Sequence, residues 1–164
     1  MHYFLLIWMF FAPQNENASA KMLVGQWIQL DGGWQHDEEV GDEWVNAKVL
    51  HICPGGEFTM MTTGLRKSKG KIMIDPSGGI QRFEGHWQHV GKSITVRYRF
   101  SDSMYILFPI GKGPDRSEKH SELFIKGRRI FFNKESYGRC HFCEQPSFGW
   151  APRCRSGGGS CESE

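Results

Sequence analysis

A chain of 164 residues is the size of one domain with room for an appendage. Hydrophobic residues make up 39% of it and include 12 Phe and 6 Trp, which is enough for a sizeable core and excludes a disordered chain. A net charge of +2 excludes binding driven mainly by attraction to nucleic acid or to an acidic membrane surface.

Residues 1–20 have the pattern of a secretory signal: an apolar run from Phe4 to Ala12, then Ala18-Ser19-Ala20 as a small-x-small cleavage site before Lys21. The run is too short to span a bilayer, which takes about 20 apolar residues. The expectation is therefore an exported chain, secreted or periplasmic, with no membrane span in its mature part. Met22 to Leu30 then fits a first strand, ended by Asp31-Gly32-Gly33. An acidic loop follows, with Asp37, Glu38, Glu39, Asp42 and Glu43. Its carboxylates lack the spacing of a calcium loop, so it reads as a solvated loop placed to lie over an opening.

Strand character returns from Trp44 to Cys53, turns at Cys53-Pro54-Gly55-Gly56, and comes back from Glu57 to Thr63. Lys69 to Asp75 reads as a shorter strand, Pro76-Ser77-Gly78-Gly79 as a turn, and Ile80 to Val90 as the next strand. After Gly91-Lys92, the residues Ile94, Val96, Tyr98 and Phe100 alternate with Thr95, Arg97 and Arg99, the period-2 mark of a half-buried strand. Met104 to Ile110 is a further apolar run, and Ser121–Lys126 with Arg129–Asn133 form a last hairpin about Gly127-Arg128. Eight or nine strands with turns every 8–12 residues predict an all-β, antiparallel up-and-down barrel or half-barrel of about eight strands. The expected division is a signal at 1–20, a β-domain at 21–137 and a Cys/Gly/Ser-rich tail at 138–164.

Gly-x-Trp occurs twice, at Gly25-x-Trp27 and Gly85-x-Trp87. Glycine lets another backbone or a ring lie close to a strand, and Trp two residues on covers the same side. The first copy resembles the opening motif of lipocalins, where the Trp closes one end of an eight-stranded barrel. The order of Leu23-x-Gly25-x-Trp27, Gly55-Gly56-Glu57-Phe58, Phe83-x-Gly85-x-Trp87 and Val96-x-Tyr98 is similar to small bacterial lipocalin-like domains over residues 22–134. The resemblance implies a non-enzymatic protein that binds a small hydrophobic ligand or an envelope component. Inward candidates for a pocket are then Trp27, Phe58, Met60, Trp87, Val96 and Tyr98. Trp34, Trp44 and Trp150, in or beside loops, are candidates for its mouth.

The five cysteines divide into Cys53 and a tail group of Cys140, Cys143, Cys154 and Cys161. In an exported chain the tail group predicts local disulfides, with pairing open among three possibilities; metal binding and reduced thiols are the other readings. Cys53 is a candidate for a free buried thiol or for long-range pairing with the tail. His86 and His89 fall on opposite faces of a strand and cannot chelate together. No catalytic motif, cofactor or metal site is expected. The alternative reading is an interaction or scaffold protein that presents a disulfide-stapled or metal-binding tail.

Overall fold

In a computed structural model that describes residues 21–90, 93–104, 113–143 and 154, a helical turn at 21–23 leads into eight strands. They are β1 (Gly25–His36), β2 (Glu43–Ile52), β3 (Glu57–Ser68), β4 (Lys71–Val90), β5 (Ser93–Met104), β6 (Lys119–Lys126), β7 (Arg129–Phe132) and β8 (Glu135–Arg139). Each pairs antiparallel with its neighbours in the chain, and β8 returns to β1 through Trp27↔Arg139 and Ile28↔Gly138. The sheet closes into the expected eight-stranded up-and-down barrel. The signal pattern, residues 105–110 of the apolar run, Trp150 and Cys161 lie outside the described residues. Among the described residues no helix is long and apolar enough to cross a membrane.

Pro76–Gly79 is not a turn between two strands. Residues 71–75 pair with 64–68 of β3 and residues 80–86 pair with 57–63, so one long strand absorbs the four residues as a bulge. Asp75 holds the bulge locally, accepting from the Ser77 amide (3.0 Å) and hydroxyl (2.6 Å). β8 carries only one large apolar side chain, Tyr137, among Glu135, Ser136, Gly138 and Arg139, and so has little strand signal of its own.

Strand parity divides the side chains between two faces. The inner set draws on all eight strands: Trp27, Leu50, Ile52, Phe58, Met60, Trp87, Ile94, Val96, Tyr98, Leu123, Ile130, Phe132 and Tyr137 are buried together, with Leu23 beneath them. Phe58, Tyr98 and Phe132 pack as a tilted aromatic triad with centroids 5.2–6.0 Å apart. A second buried set lies on the outer face of β1–β4: Val45, Ala47, Val49, Met61 and Leu65, with Cys140 and Cys143 of the segment after β8 packed onto it.

Both Gly-x-Trp copies sit at the same end and close it. The Trp27 indole N–H donates to the Leu23 carbonyl (2.8 Å), and the Arg139 guanidinium lies 4.1 Å from the ring centroid. Arg139 also donates to the Val24 (2.6 Å) and Met22 (2.8 Å) carbonyls, which ties the last strand to the helical turn. Trp87 donates from its indole to the Cys53 carbonyl (2.8 Å) and from its backbone to Gly56 (2.7 Å). The glycines are required by close approach: a Cβ on Gly85 would stand 2.6 Å from Tyr98 Cα and overlap the Arg97 carbonyl, and one on Gly25 would run into the Arg139 guanidinium.

Gly85→Ala therefore forces β4 and β5 apart and lowers stability by about 1–3 kcal/mol. Gly33→Ala, where a Cβ meets nothing within 4 Å, stays within about 0.5 kcal/mol of the parent. Urea denaturation of the two variants checks the contrast.

Candidate functional site

The interior changes character along its length. Above the aromatic triad, Lys48 of β2 pairs with Glu135, and Glu135 accepts from the Tyr137 hydroxyl (2.8 Å). Asn133 donates to the Tyr98 hydroxyl (2.8 Å) and accepts from Ser121 (2.5 Å). Inward-facing Gln29, opposite Lys48 in the β1–β2 register, has a buried Oε1 with no hydrogen-bond partner among the described residues. Burial, then the bond to Glu135 and its charge, push the Tyr137 phenol far above its ordinary range.

At the end opposite the two tryptophans a cavity of about 440 Å³ opens. Trp44 and Asn46 of β2, and Gly64 and Arg66 of β3, carry inner-face parity there. Asp75 and Ser77 of the β4 bulge line one side, and Asp37, Val40 and Asp42 of the acidic loop another. The loop is held by its own bonds: the Asp37 carboxylate accepts from the Glu39 (3.0 Å) and Val40 (3.3 Å) amides, and the Gly41 amide donates to the Asp37 carbonyl (2.8 Å). The Arg66 guanidinium stands 3.8 Å from Asp42 and 3.9 Å from Asp75, bridging loop and bulge across the mouth. The bonds from Ser77, and secondarily the Arg66 charge, hold the Asp75 carboxyl below its ordinary value. Trp44 remains 41% exposed, a large indole facing a partly polar opening.

Of the sequence candidates, Trp44 lines this cavity. Trp27, Phe58, Met60, Trp87, Val96 and Tyr98 pack against one another in the core, and none of them is among the lining residues. Trp34 joins the outer cluster, with Lys67 Nζ 6.0 Å from its ring centroid. His86 is exposed on the outer face, whereas His89 packs edge-on to Trp87 with centroids 5.8 Å apart. Arg66, Asn46 and Asp75 were not legible as site residues. The β3 strand reads as ending at Thr63, because Gly64 interrupts the pattern, yet pairing continues to Ser68. Extending the alternation through Gly64 would have set Arg66 opposite Trp44, its register partner.

Four cysteines, Cys53, Cys140, Cys143 and Cys154, lie outside the barrel, toward the other end. Cys140 pairs with Cys143 across three positions, and Cys53 pairs with Cys154 across 101. Cys53 is thus tied to the tail rather than free. By chain entropy the long cross-link stabilises by about 4–5 kcal/mol and the short one by about 2. His51 Nε2 lies 3.9 Å from Cys53 Sγ and 3.8 Å from Cys154 Sγ. Burial pushes the His51 imidazole below its ordinary pKa and so favours the neutral ring.

Comparison of the chain with protein-family models, with curated proteins and with solved structures found no match.

Because the folded state raises the Tyr137 pKa, the hydroxyl contributes its full stabilisation below the unfolded value of about 10 and loses it as pH rises further. Denaturant midpoints of the parent and Tyr137→Phe should keep a constant separation up to about pH 9 and converge or cross above about pH 10. A separation independent of pH would show that the phenol is not held neutral by the fold.

Proposed function

We propose that this chain is a lipocalin-like binding protein that holds a small molecule at the open end of its barrel and does no chemistry on it. The observation that carries the reading is the mouth cavity. Its volume of about 440 Å³ is within the usual range of small-molecule sites, about 300–1,000 Å³. Its walls combine an apolar surface, from Trp44 and Val40, with a few convergent polar groups, from Asn46, Arg66, Asp42 and Asp75. That mixture suits a ligand with a flat or branched apolar body and one polar end. The apolar body lies against the indole, and Arg66 and Asn46 orient the polar end.

The filled lower barrel supports a shallow site rather than a deep calyx. Tryptophan and aromatic packing occupy the closed half, and the Lys48–Glu135–Tyr137 chain forms a polar floor between that half and the mouth. The acidic loop, bridged to the bulge through Arg66, is placed to act as the lid of the site. Export belongs to the same reading: two disulfides suit an oxidising compartment, and residues 1–20 have the signal pattern.

Native mass spectrometry of the purified full chain, followed by titration with an anilinonaphthalene sulfonate dye as probe, tests the proposal. One dye per chain is expected, with Trp44→Ala weakening binding by about 10–30-fold and Arg66→Ala by about 5–10-fold. Trp34→Ala, on the outer face, leaves the affinity unchanged. Binding that is absent, not one-to-one, or equally strong in Trp44→Ala would overturn the mouth as the site.

A further inference from the structure

His51-Ile52-Cys53 ends β2, and in a strand residues two apart share a face. His51 and Cys53 therefore both project outward at the closed end, where Cys154 meets them. The histidine nitrogen and the two sulfurs all lie within 4.8 Å of one another, with His51 and Cys53 buried and Cys154 half-buried. One side of the trio is thus walled by protein and the other faces the solvent. This is a different place from the barrel mouth, and nothing in the proposed ligand binding uses it.

Two of the three residues have their backbones held before any ion arrives. The Cys53 amide donates to the Glu57 carbonyl (2.9 Å), and the Cys53 carbonyl accepts from the Trp87 indole (2.8 Å). His51 is paired in register with Gln26 of β1 and Thr59 of β3. Cys154 lies outside any strand. The spacing also suits a metal. Zinc bonds of about 2.3 Å to sulfur and about 2.0 Å to nitrogen at a tetrahedral angle set sulfur and nitrogen about 3.6 Å apart. The observed separations of 3.8 and 3.9 Å from the imidazole nitrogen to the sulfurs are close to that value. Only the two sulfurs, bonded to each other in the disulfide, must part.

We propose that His51, Cys53 and Cys154 form a redox-gated site for a thiophilic divalent cation, zinc by its ligand chemistry. In the oxidised chain the cysteines staple the C-terminal segment to the end of β2 and bind no ion. A dithiol reductant passes two electrons and two protons to the sulfur–sulfur bond, leaving two thiols here and its own disulfide as product. Zn²⁺ then displaces both thiol protons, forming two Zn–S bonds and one bond to the neutral imidazole, with water in the fourth position. The same three residues hold the segment in both states, by a covalent bond in one and by a metal in the other.

Cobalt(II), a spectroscopic stand-in for zinc, tests this on the full chain carrying Cys140→Ser, Cys143→Ser and Cys161→Ser, so that Cys53 and Cys154 are its remaining cysteines. The protein is reduced with dithiothreitol, desalted without oxygen and titrated. One cobalt per chain is expected, with sulfur-to-metal charge transfer in the near ultraviolet and the intense visible bands of a four-coordinate ion. His51→Ala in this background weakens binding by about 100-fold. Circular dichroism of its oxidised form, in which the disulfide persists, reports whether that variant folds. A second variant, Cys154→Ser, is expected to abolish charge transfer from two thiolates. Absence of a stoichiometric complex in the reduced protein, an unchanged affinity in a folded His51→Ala, or equal binding by the oxidised protein would each overturn the site.

Discussion

The barrel depends on the contact between Trp27 and Arg139. Closing an eight-stranded sheet requires its first and last strands to pair, and this seam is short: two registered positions between β1 and β8, against ten between β2 and β3. Backbone pairing alone would leave it the easiest to open. The Arg139 side chain compensates by crossing the seam, covering the Trp27 indole at 4.1 Å and donating to two carbonyls of the chain just before β1. The guanidinium needs a glycine beneath it, and Gly25 at φ 127° supplies the room. The Cys140 amide extends the seam by one more bond, to the Gln26 carbonyl (3.0 Å). Residues from both ends of the barrel sequence thus converge on one plug.

That plug decides where a ligand can go. With Trp27 and Trp87 across one end, and with Phe58, Tyr98 and Phe132 stacked above them, the closed half is packed like any protein interior. The other half cannot be filled in the same way, because its inward positions carry Gln29, Lys48, Glu135 and Asn46. Burying such groups is favourable only when they are paired, and Lys48, Glu135 and Tyr137 form a chain that satisfies one another. The barrel therefore has an apolar base, a polar floor and an open rim. The exposed face of Trp44 and the Arg66 guanidinium occupy that rim, outside the packed base.

The sequence was most informative where the physics is local. Alternation at Ile94, Val96, Tyr98 and Phe100, and the turns at Pro54-Gly55 and Gly127-Arg128, lead to the right class. The first strand, read as ending at Asp31-Gly32-Gly33, instead passes through them as an irregularity and pairs with β2 again at Gln35 and His36. The bulge in β4 was read as a turn because Pro76-Ser77-Gly78-Gly79 has turn chemistry, and only pairing with the whole of β3 overrides it. Site residues were harder to read. Aromatic residues of inward parity look alike whether they line a pocket or fill a core, and their position along the barrel axis separates the two cases. Trp44 was legible because it borders a loop; Arg66 was hidden beyond Gly64. The Cys53–Cys154 link joins residues 101 positions apart, and no local pattern selects a partner over that distance.

β2 carries both proposed sites, one at each end and one on each face. Trp44 points inward at the mouth, and His51 and Cys53 point outward at the base, roughly 25 Å away along the strand. For one site to influence the other, β2 would have to slide or twist. It is held by nine registered positions to β1 and ten to β3, and a one-residue slip would turn Leu50 and Ile52 out of the core. A change at the sulfurs acts first on the link they make, the bond from Cys53 at the end of β2 to Cys154. The two proposed sites share a strand but stand on opposite faces of it and at opposite ends.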